Sequence, residues 1–365
     1  MQLSGRVRNV RPSGVRKIFE LAAKVKNPIN LSIGEPDFDI PDEIKEEGIK
    51  WIRAGFNKYT PSGGIPELRE KVFCYLKGKG IICDDVIITA GATGGLLLSF
   101  LVTLDPGDEV IIPDPYFVLY EYQLILLGAR PVYVDTYPDF SLKEEKLRKA
   151  LTNKTKAILI NSPNNPTGRV YSRQELEMVV AVARERNLLI FSDDIYDRFI
   201  FEDSLRNNYL GQLYENTLTI GGFSKTWAMT GWRVGFVAGS KEIIQTMITN
   251  QQYVFSSVNS IAQKAALFAL DCNTDELISS YKRRRDLIYE GLKDKYEVVQ
   301  PKGAYYIFPR VPGDDGDAFV EKALAKNLFI IPGSVFSGRK SNVRISFASN
   351  EENVLKGIEI LRSMA

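Results

Sequence analysis

Short apolar runs rich in Val, Ile and Leu alternate with longer amphipathic stretches through much of the chain, the pattern of βαβ units around a parallel sheet. The runs predict strands at Val86 to Ala90, Glu109 to Pro113, Arg130 to Asp135, Lys156 to Ser162, Leu188 to Asp193, Thr217 to Gly221 and Arg233 to Gly239. Several are continuously apolar, as strands covered on both faces should be. Helices are expected between them, at Gly95 to Leu104, Tyr116 to Leu127, Leu142 to Leu151 and Ser172 to Asn187, the last opened by a Ser172/Glu175 capping box. The sum is an α/β chain with a mostly parallel sheet of about seven strands.

Beyond Gly239 the texture changes. One long helical stretch runs from Lys241 to Leu270 and another from Asp275 to Lys293. Strand patterns follow at Tyr296 to Gln300, Ala304 to Arg310, Leu328 to Ile331 and Val343 to Phe347, with helices at Asp317 to Lys326 and Glu351 to Arg362. This is the signature of a smaller α+β domain with its boundary near residue 270.

Composition narrows the chemistry. The 365 residues carry 47 Lys and Arg against 45 Asp and Glu, a net charge of +2, which gives no field for nucleic acid or an anionic membrane. There is no His, so Ser-His-Asp, Cys-His and His-zinc arrangements are excluded, and no metal site is expected. Cys74, Cys83 and Cys272 have no paired short spacing and read as reduced, mostly core thiols of a cytoplasmic protein. The basic N-terminus leads into amphipathic IFELAAKVK with no signal-type apolar core, and no apolar run approaches the roughly 18 residues of a membrane span.

Ligands of a doubly wound sheet bind beyond the carboxyl ends of its strands. After the first strand come Gly91, Ala92 and Thr93 at a helix start, which could hold a phosphate or serve only close packing. Ser162-Pro163-Asn164-Asn165-Pro166-Thr167-Gly168 taken alone is a turn. Asp193 and Tyr196 stand at i, i+3, on one face if a helical turn starts there. Lys225 follows an apolar strand directly between Ser224 and Trp227, a poor setting for a surface charge. A lysine of perturbed pKa is the side chain that forms Schiff bases with carbonyls, and Arg233 could grip phosphate in a fork. Together these match the demands of pyridoxal 5'-phosphate: a Lys for its aldehyde, donors for its phosphate, an acid for its ring nitrogen, donors for its phenolic oxygen and a flat neighbour.

The chain resembles the fold-type I pyridoxal-phosphate aminotransferases, class I/II, the aspartate and aromatic branch. The carriers are Ile33 to Phe38, Tyr59-Thr60-Pro61 with Gly64 and Leu68-Arg69, Asn164 to Gly168, Ser192-Asp193 with Tyr196, Ser224-Lys225 through Arg233, and Asn342 to Ser346. The resemblance implies a large cofactor-binding domain over 35–270 and a small domain of 1–34 with 271–365. It implies that Lys225 carries the aldehyde and moves the proton, that Asp193 pairs with the pyridine nitrogen, and that Asn165 and Tyr196 hold the phenolic oxygen. Gly91, Ala92, Thr93, Ser224 and Arg233 would bind phosphate, and Phe117 would stack on the ring with Tyr116 as the fallback. Arg344, assisted by the Gly34 amide, would bind the substrate α-carboxylate, and Tyr59 would reach the partner's phosphate in a homodimer with shared active sites.

Arg344 also has a case from its own strand pattern, where an inward cation is costly unless it meets an anion. The expected reaction is ping-pong amino transfer between an L-amino acid (aspartate, aromatic or aliphatic) and a 2-oxo acid, with 2-oxoglutarate as acceptor. The alternative is a C–S β-lyase on the same fold. Departures from the family pattern are Gly221-Gly222 where many relatives carry Ser, no His near the acid, and Thr93 where some aspartate enzymes carry Lys. The basic residues Arg6, Arg8, Arg11 and Arg16 read as a solvated face. Gly333 to Ser341 narrowly misses the phosphate-loop pattern and leads into a strand instead of the required helix, so a nucleotide-binding module is rejected.

Overall fold

Continuous apolar runs become interior strands because both of their faces can be covered by helices. In the computed structural model, which describes residues 3–8 and 10–365, seven such runs pair into one sheet. They are β1 (Asp85–Thr89), β2 (Glu109–Asp114), β3 (Arg130–Asp135), β4 (Thr155–Asn161), β5 (Leu189–Asp193), β6 (Thr217–Gly222) and β7 (Gly235–Gly239). The order is β1-β7-β6-β5-β4-β2-β3, with β7 antiparallel to both neighbours and every other pairing parallel. Consequently the C-terminal ends of β4, β5 and β6 open side by side on one edge of the sheet.

The helix Gly91–Thr103 starts immediately after β1 and lies against β6 and β7. Gly95 permits that approach, since a Cβ there would sit 2.8 Å from Val237. Ser172 and Glu175 form the expected capping box at the helix Arg173–Arg186. A three-stranded sheet of Tyr306–Ile307, Val343–Ser346 and Ile331–Pro332 makes the C-terminal region, with Ile331 opposite Arg344 in antiparallel register. One apolar cluster there gathers Ile18, Ala22 and Leu31 with Tyr281, Tyr305, Phe336 and Phe347.

Several elements differ from expectation. The last strand of the large sheet begins at Gly235, because Arg233 is in left-handed conformation, φ 56°, and turns the chain toward the helix start at Gly91. The stretch 241–270 is two helices, Lys241–Val254 and Ser260–Ala269, separated by Ser256 at φ 62° and restarted by Asn259, whose side chain accepts from the Ala262 amide. The helix expected from Tyr116 begins at Leu119, and the Tyr116 amide instead donates to the Phe336 carbonyl. Residues 296–300 form no strand beyond a bridge from Glu297 to Arg310, and in 304–310 the ladder covers Tyr306–Ile307, after Ala304 at φ 52°, with isolated bridges at Arg310 to Glu297 and Asn342. The peptides before Pro115, Pro138, Pro163 and Pro166 are cis. Of the three free thiols only Cys83 is buried; Cys74 is exposed, a correction to the core reading. Among the described residues no helix is long and apolar enough to cross a membrane.

Candidate active site

The open edge of the sheet borders a cavity of about 800 Å³. Asn161, Asp193 and the Ser224-Lys225 pair reach it from the ends of β4, β5 and β6. Ala92 and Thr93 enter from the helix after β1, Phe117 from the segment after β2, and Arg344 and Tyr306 from the C-terminal sheet. The loop Ser32 to Glu35 closes the remaining side.

Lys225 is half-buried, and its ammonium donates to the Gly34 carbonyl at 2.7 Å. Burial is the largest influence on it and lowers its pKa to about 8; Arg344 and Arg233 push the same way, against Glu35 and Asp193. Asp193 is buried at the strand tip, and burial raises its pKa from the ordinary value. Tyr120 opposes that rise by donating to Oδ2 at 2.6 Å, as does the Ile195 amide at Oδ1. Tyr196 shares a 2.9 Å hydroxyl contact with Tyr306, and the turn Asp194 to Asp197 puts it on the same cavity as Asp193.

Arg344 is 1 % exposed. It donates to Asn165 Oδ1 at 3.0 Å and to the Ser32 carbonyl at 2.7 Å, lies between the Tyr306 and Phe336 rings, and leaves Nε without a partner. It forms no ion pair with any described carboxylate. A buried cation that lacks a counter-ion is costly, and its free donors point to an anionic ligand.

Gly91 adopts φ +68°, and a Cβ there would lie 2.6 Å from the Arg233 guanidinium. That left-handed glycine lets Arg233 settle against the helix start beside Ala92, Thr93 and Ser224. Arg233 also donates to the Thr230 carbonyl at 2.8 Å and has no described carboxylate partner. Phe117 faces the cavity, whereas Tyr116 stacks on Tyr133 at 4.7 Å and is removed as the fallback. Gly34 lines the cavity, and Tyr59 does not; it is 90 % exposed. Arg16, expected on a solvated face, stands exposed at the cavity rim.

The sequence reasoning missed Tyr120, Tyr306, Asn161 and Glu35. Asn161 orients the neighbouring loop by accepting from the Asn165 amide at 2.8 Å and donating to the Asp193 carbonyl at 2.9 Å. Tyr120 carried one signal, a phenol beside Gln123 on the buried face of its helix, yet its partner is 73 positions away. Glu35 accepts from Thr230 across the mouth.

An α/β sheet that brings a half-buried lysine of lowered pKa, a buried acid and two arginines without carboxylate partners to one cavity defines an enzyme that handles anionic carbonyl or amine substrates. Residues 26–361 match the family model described as aminotransferase class I and II, and the chain belongs to that family. It is a transaminase. A probable aspartate aminotransferase from Methanocaldococcus jannaschii is 38% identical, with 99% of each chain covered. A (5-formylfuran-3-yl)methyl phosphate transaminase from the same organism is 41% identical over 99% of this chain and 98% of its own. The solved structure of Thermus thermophilus aspartate aminotransferase with maleate superposes with a TM-score of 0.94 at 35% identity, covering 100% of both chains.

Proposed function

We propose that the cavity takes pyridoxal 5'-phosphate and moves an amino group between an L-amino acid and a 2-oxo acid by a ping-pong course. The observation that carries this reading is the pair of cations, Arg344 and Arg233, which line one cavity together with Lys225 and stand without described carboxylate partners. Three features fit the cofactor: the Gly91 cradle against Arg233, the half-buried Lys225 that lines the cavity, and the orphaned Arg344 Nε. When bound, the cofactor supplies an aldehyde and a ring that withdraws electrons from the substrate Cα.

In this reading Gly91, Ala92, Thr93, Ser224 and Arg233 hold the phosphate. Asp193, whose raised pKa Tyr120 opposes, would pair with the pyridine nitrogen, and Asn165 and Tyr196 would hold the phenolic oxygen. Phe117 covers one ring face. Arg344 with the Gly34 amide fixes the α-carboxylate, which orients the Cα–H bond toward Lys225. As the free amine Lys225 would accept that proton and, as the ammonium, donate one back, with the bound cofactor supplying the electron sink for the exchange. Its pKa near 8 leaves an appreciable fraction of neutral amine at physiological pH. Donors are aspartate, aromatic or aliphatic amino acids, with 2-oxoglutarate as acceptor.

Residues 35–270 serve as the large domain and 1–34 with 271–365 as the small one; Ile18 and Leu31 pack in one apolar cluster with Tyr305 and Phe347, which supports grouping the N-terminal segment with the C-terminal region, and Phe199 and Phe201 of the large domain join the same cluster. The chain works as a homodimer in which Tyr59 completes the partner's phosphate site, a role supported by a phenol left 90 % exposed. Free thiols support a cytoplasmic location.

The test is visible absorbance with pyridoxal phosphate for wild type and Lys225→Ala, followed by a panel of amino acids without any oxo acid. A Lys225-dependent band that bleaches with one 2-oxo acid released per site is the expected result. Persistent colour with release of ammonia or a thiol moves the chain to the C–S β-lyase reading, and a chain with no Lys225-dependent colour defeats the cofactor assignment.

A further inference from the structure

We propose that Tyr305 is a positioning residue for Lys225, acting through the Gly34 carbonyl that both side chains share. Gly34 O accepts from Lys225 Nζ at 2.7 Å and from the Tyr305 hydroxyl at 3.0 Å. A carbonyl oxygen offers two lone pairs, so this one is fully subscribed. Tyr305 itself is 0% exposed and does not line the cavity. It is aimed by Ala304 at φ 52° and wedged edge-on against Tyr196 and Phe199, at centroid distances of 5.3 and 5.4 Å.

The shared acceptor has two consequences. It fixes the direction of the carbonyl, and with it the position of the lysine nitrogen. It also weakens the carbonyl as an acceptor for Lys225, because Tyr305 already draws on the same oxygen. Hydrogen bonding to a charged form favours that form. Without the Tyr305 hydroxyl, Gly34 O serves Lys225 alone and favours the ammonium. The other groups facing Lys225 stay as they are: Glu35 and Asp193 favour the ammonium, Arg344 and Arg233 disfavour it, and the Tyr196 ring lies 5.8 Å away.

The inference rests on the reading of Lys225 as the proton carrier, but its first test needs no cofactor. In the cofactor-free full-length chain, cyanate carbamylates only the neutral amine, so the rate at Lys225 against pH, read by peptide mass, gives its titration. Tyr305→Phe keeps the ring and removes the hydroxyl. It is expected to slow carbamylation of Lys225 by about tenfold near neutral pH, the equivalent of one pKa unit upward. Tyr281→Phe is the control, since its hydroxyl bonds Asp37 at the far end of the same loop and leaves the Gly34 carbonyl alone. With pyridoxal phosphate and amino acid present, Tyr305→Phe is expected to lower kcat by about tenfold at unchanged KM, with the shortfall closing as pH rises.

An unchanged Lys225 titration in Tyr305→Phe, or an equal shift in both variants, overturns the proposal, the second outcome because it reports a loosened loop. If the Lys225 titration shifts as expected while the wild type transfers no amino group, it is the transaminase chemistry that fails, and Tyr305 remains a positioning residue for Lys225 in the cofactor-free chain.

Discussion

Successive residues of a strand point to opposite faces, and at the tip of β5 this separates two sets of buried charge. On the cavity side stand Asp193, Lys225 and Arg344, none of them in an ion pair among the described residues. On the other side Asp194 faces a cell in which Lys79 is ion-paired with Asp197, with Tyr75 also donating to Asp197 and the Lys79 ammonium 4.2 Å from the Tyr75 ring centroid. In this second set Lys79 and Asp197 satisfy each other, and Asp194 alone is left with an oxygen unpaired. The first is held by neutral donors and acceptors, Tyr120, Gly34, Asn165 and Ser32, which steady the charges without cancelling them. Charge left uncancelled at depth is what a ligand can use.

Removing a charge should therefore do opposite things on the two sides. Arg344→Leu is expected to lower kcat/KM for amino acids by about a thousandfold, about 4 kcal/mol of transition-state binding. Its melting temperature should not fall, because the residue replaced is an uncompensated buried cation. A variant that both melts much earlier and keeps its kcat/KM would erase the distinction.

Lys79→Met is the mirror experiment. It strands Asp197 without its cation in a mostly buried cell, at an expected cost of about 3 kcal/mol in denaturant unfolding. Turnover per folded molecule should stay near wild type, and Lys79→Met with Asp197→Leu should recover most of the lost stability. A large fall in kcat with stability intact would show that the cell behind the sheet takes part in the chemistry.

How much of this was legible beforehand divides along the same line. The large sheet could be read because its strands are continuously apolar, and the lysine, acid and phosphate residues follow from strand ends and their order. Arg344 could be read because an arginine in an alternating apolar strand has no cheap inward position. Tyr120, Tyr305 and Tyr306 could not, since a tyrosine in an apolar run looks like core whether or not its hydroxyl has work, and its partner depends on tertiary contact. The C-terminal strand at 304–310 was overestimated for a related reason: Ala304 at φ 52° delays the ladder until Tyr306, as Arg233 at φ 56° delays the last strand of the large sheet until Gly235, and neither residue advertises a positive φ.

Asp194 sharpens the comparison through pH. It is buried, accepts from Ser192 through Oδ1, and leaves Oδ2 without a partner. Burial is the largest influence and raises its pKa to about 7, reinforced by Asp197 and Asp193 and opposed by Ser192 and Lys79. The folded chain thus holds a proton that the unfolded chain, near an ordinary value of about 3.9, gives up. Stability from this group falls as pH rises through that window, with the full penalty above pH 7 and none below about pH 4. Asp194→Asn cannot ionise, so it should gain stability relative to wild type in mildly alkaline buffer, up to the roughly 4 kcal/mol that about three pKa units are worth, and nothing in acid. A gain of equal size at both ends would show that packing, not ionisation, sets the cost.

Tyr120→Phe probes the gentlest term, a neutral donor that steadies a charge meant for a ligand. The phenol donates to Asp193 Oδ2 at 2.6 Å and lowers that acid's proton affinity against burial. Losing one hydrogen bond to a carboxylate is worth about 1.5 kcal/mol and moves the acid's pKa further upward. A protonated Asp193 has no charge to offer a pyridinium, so the affinity for pyridoxal phosphate should weaken, and the loss should grow as pH falls through the raised pKa. Equilibrium dialysis across the acid range measures this without turnover. The mild version expected here is a severalfold loss at neutral pH that deepens toward acid; a loss independent of pH would mean that Tyr120 holds the cavity's shape, with Asp193 indifferent to it.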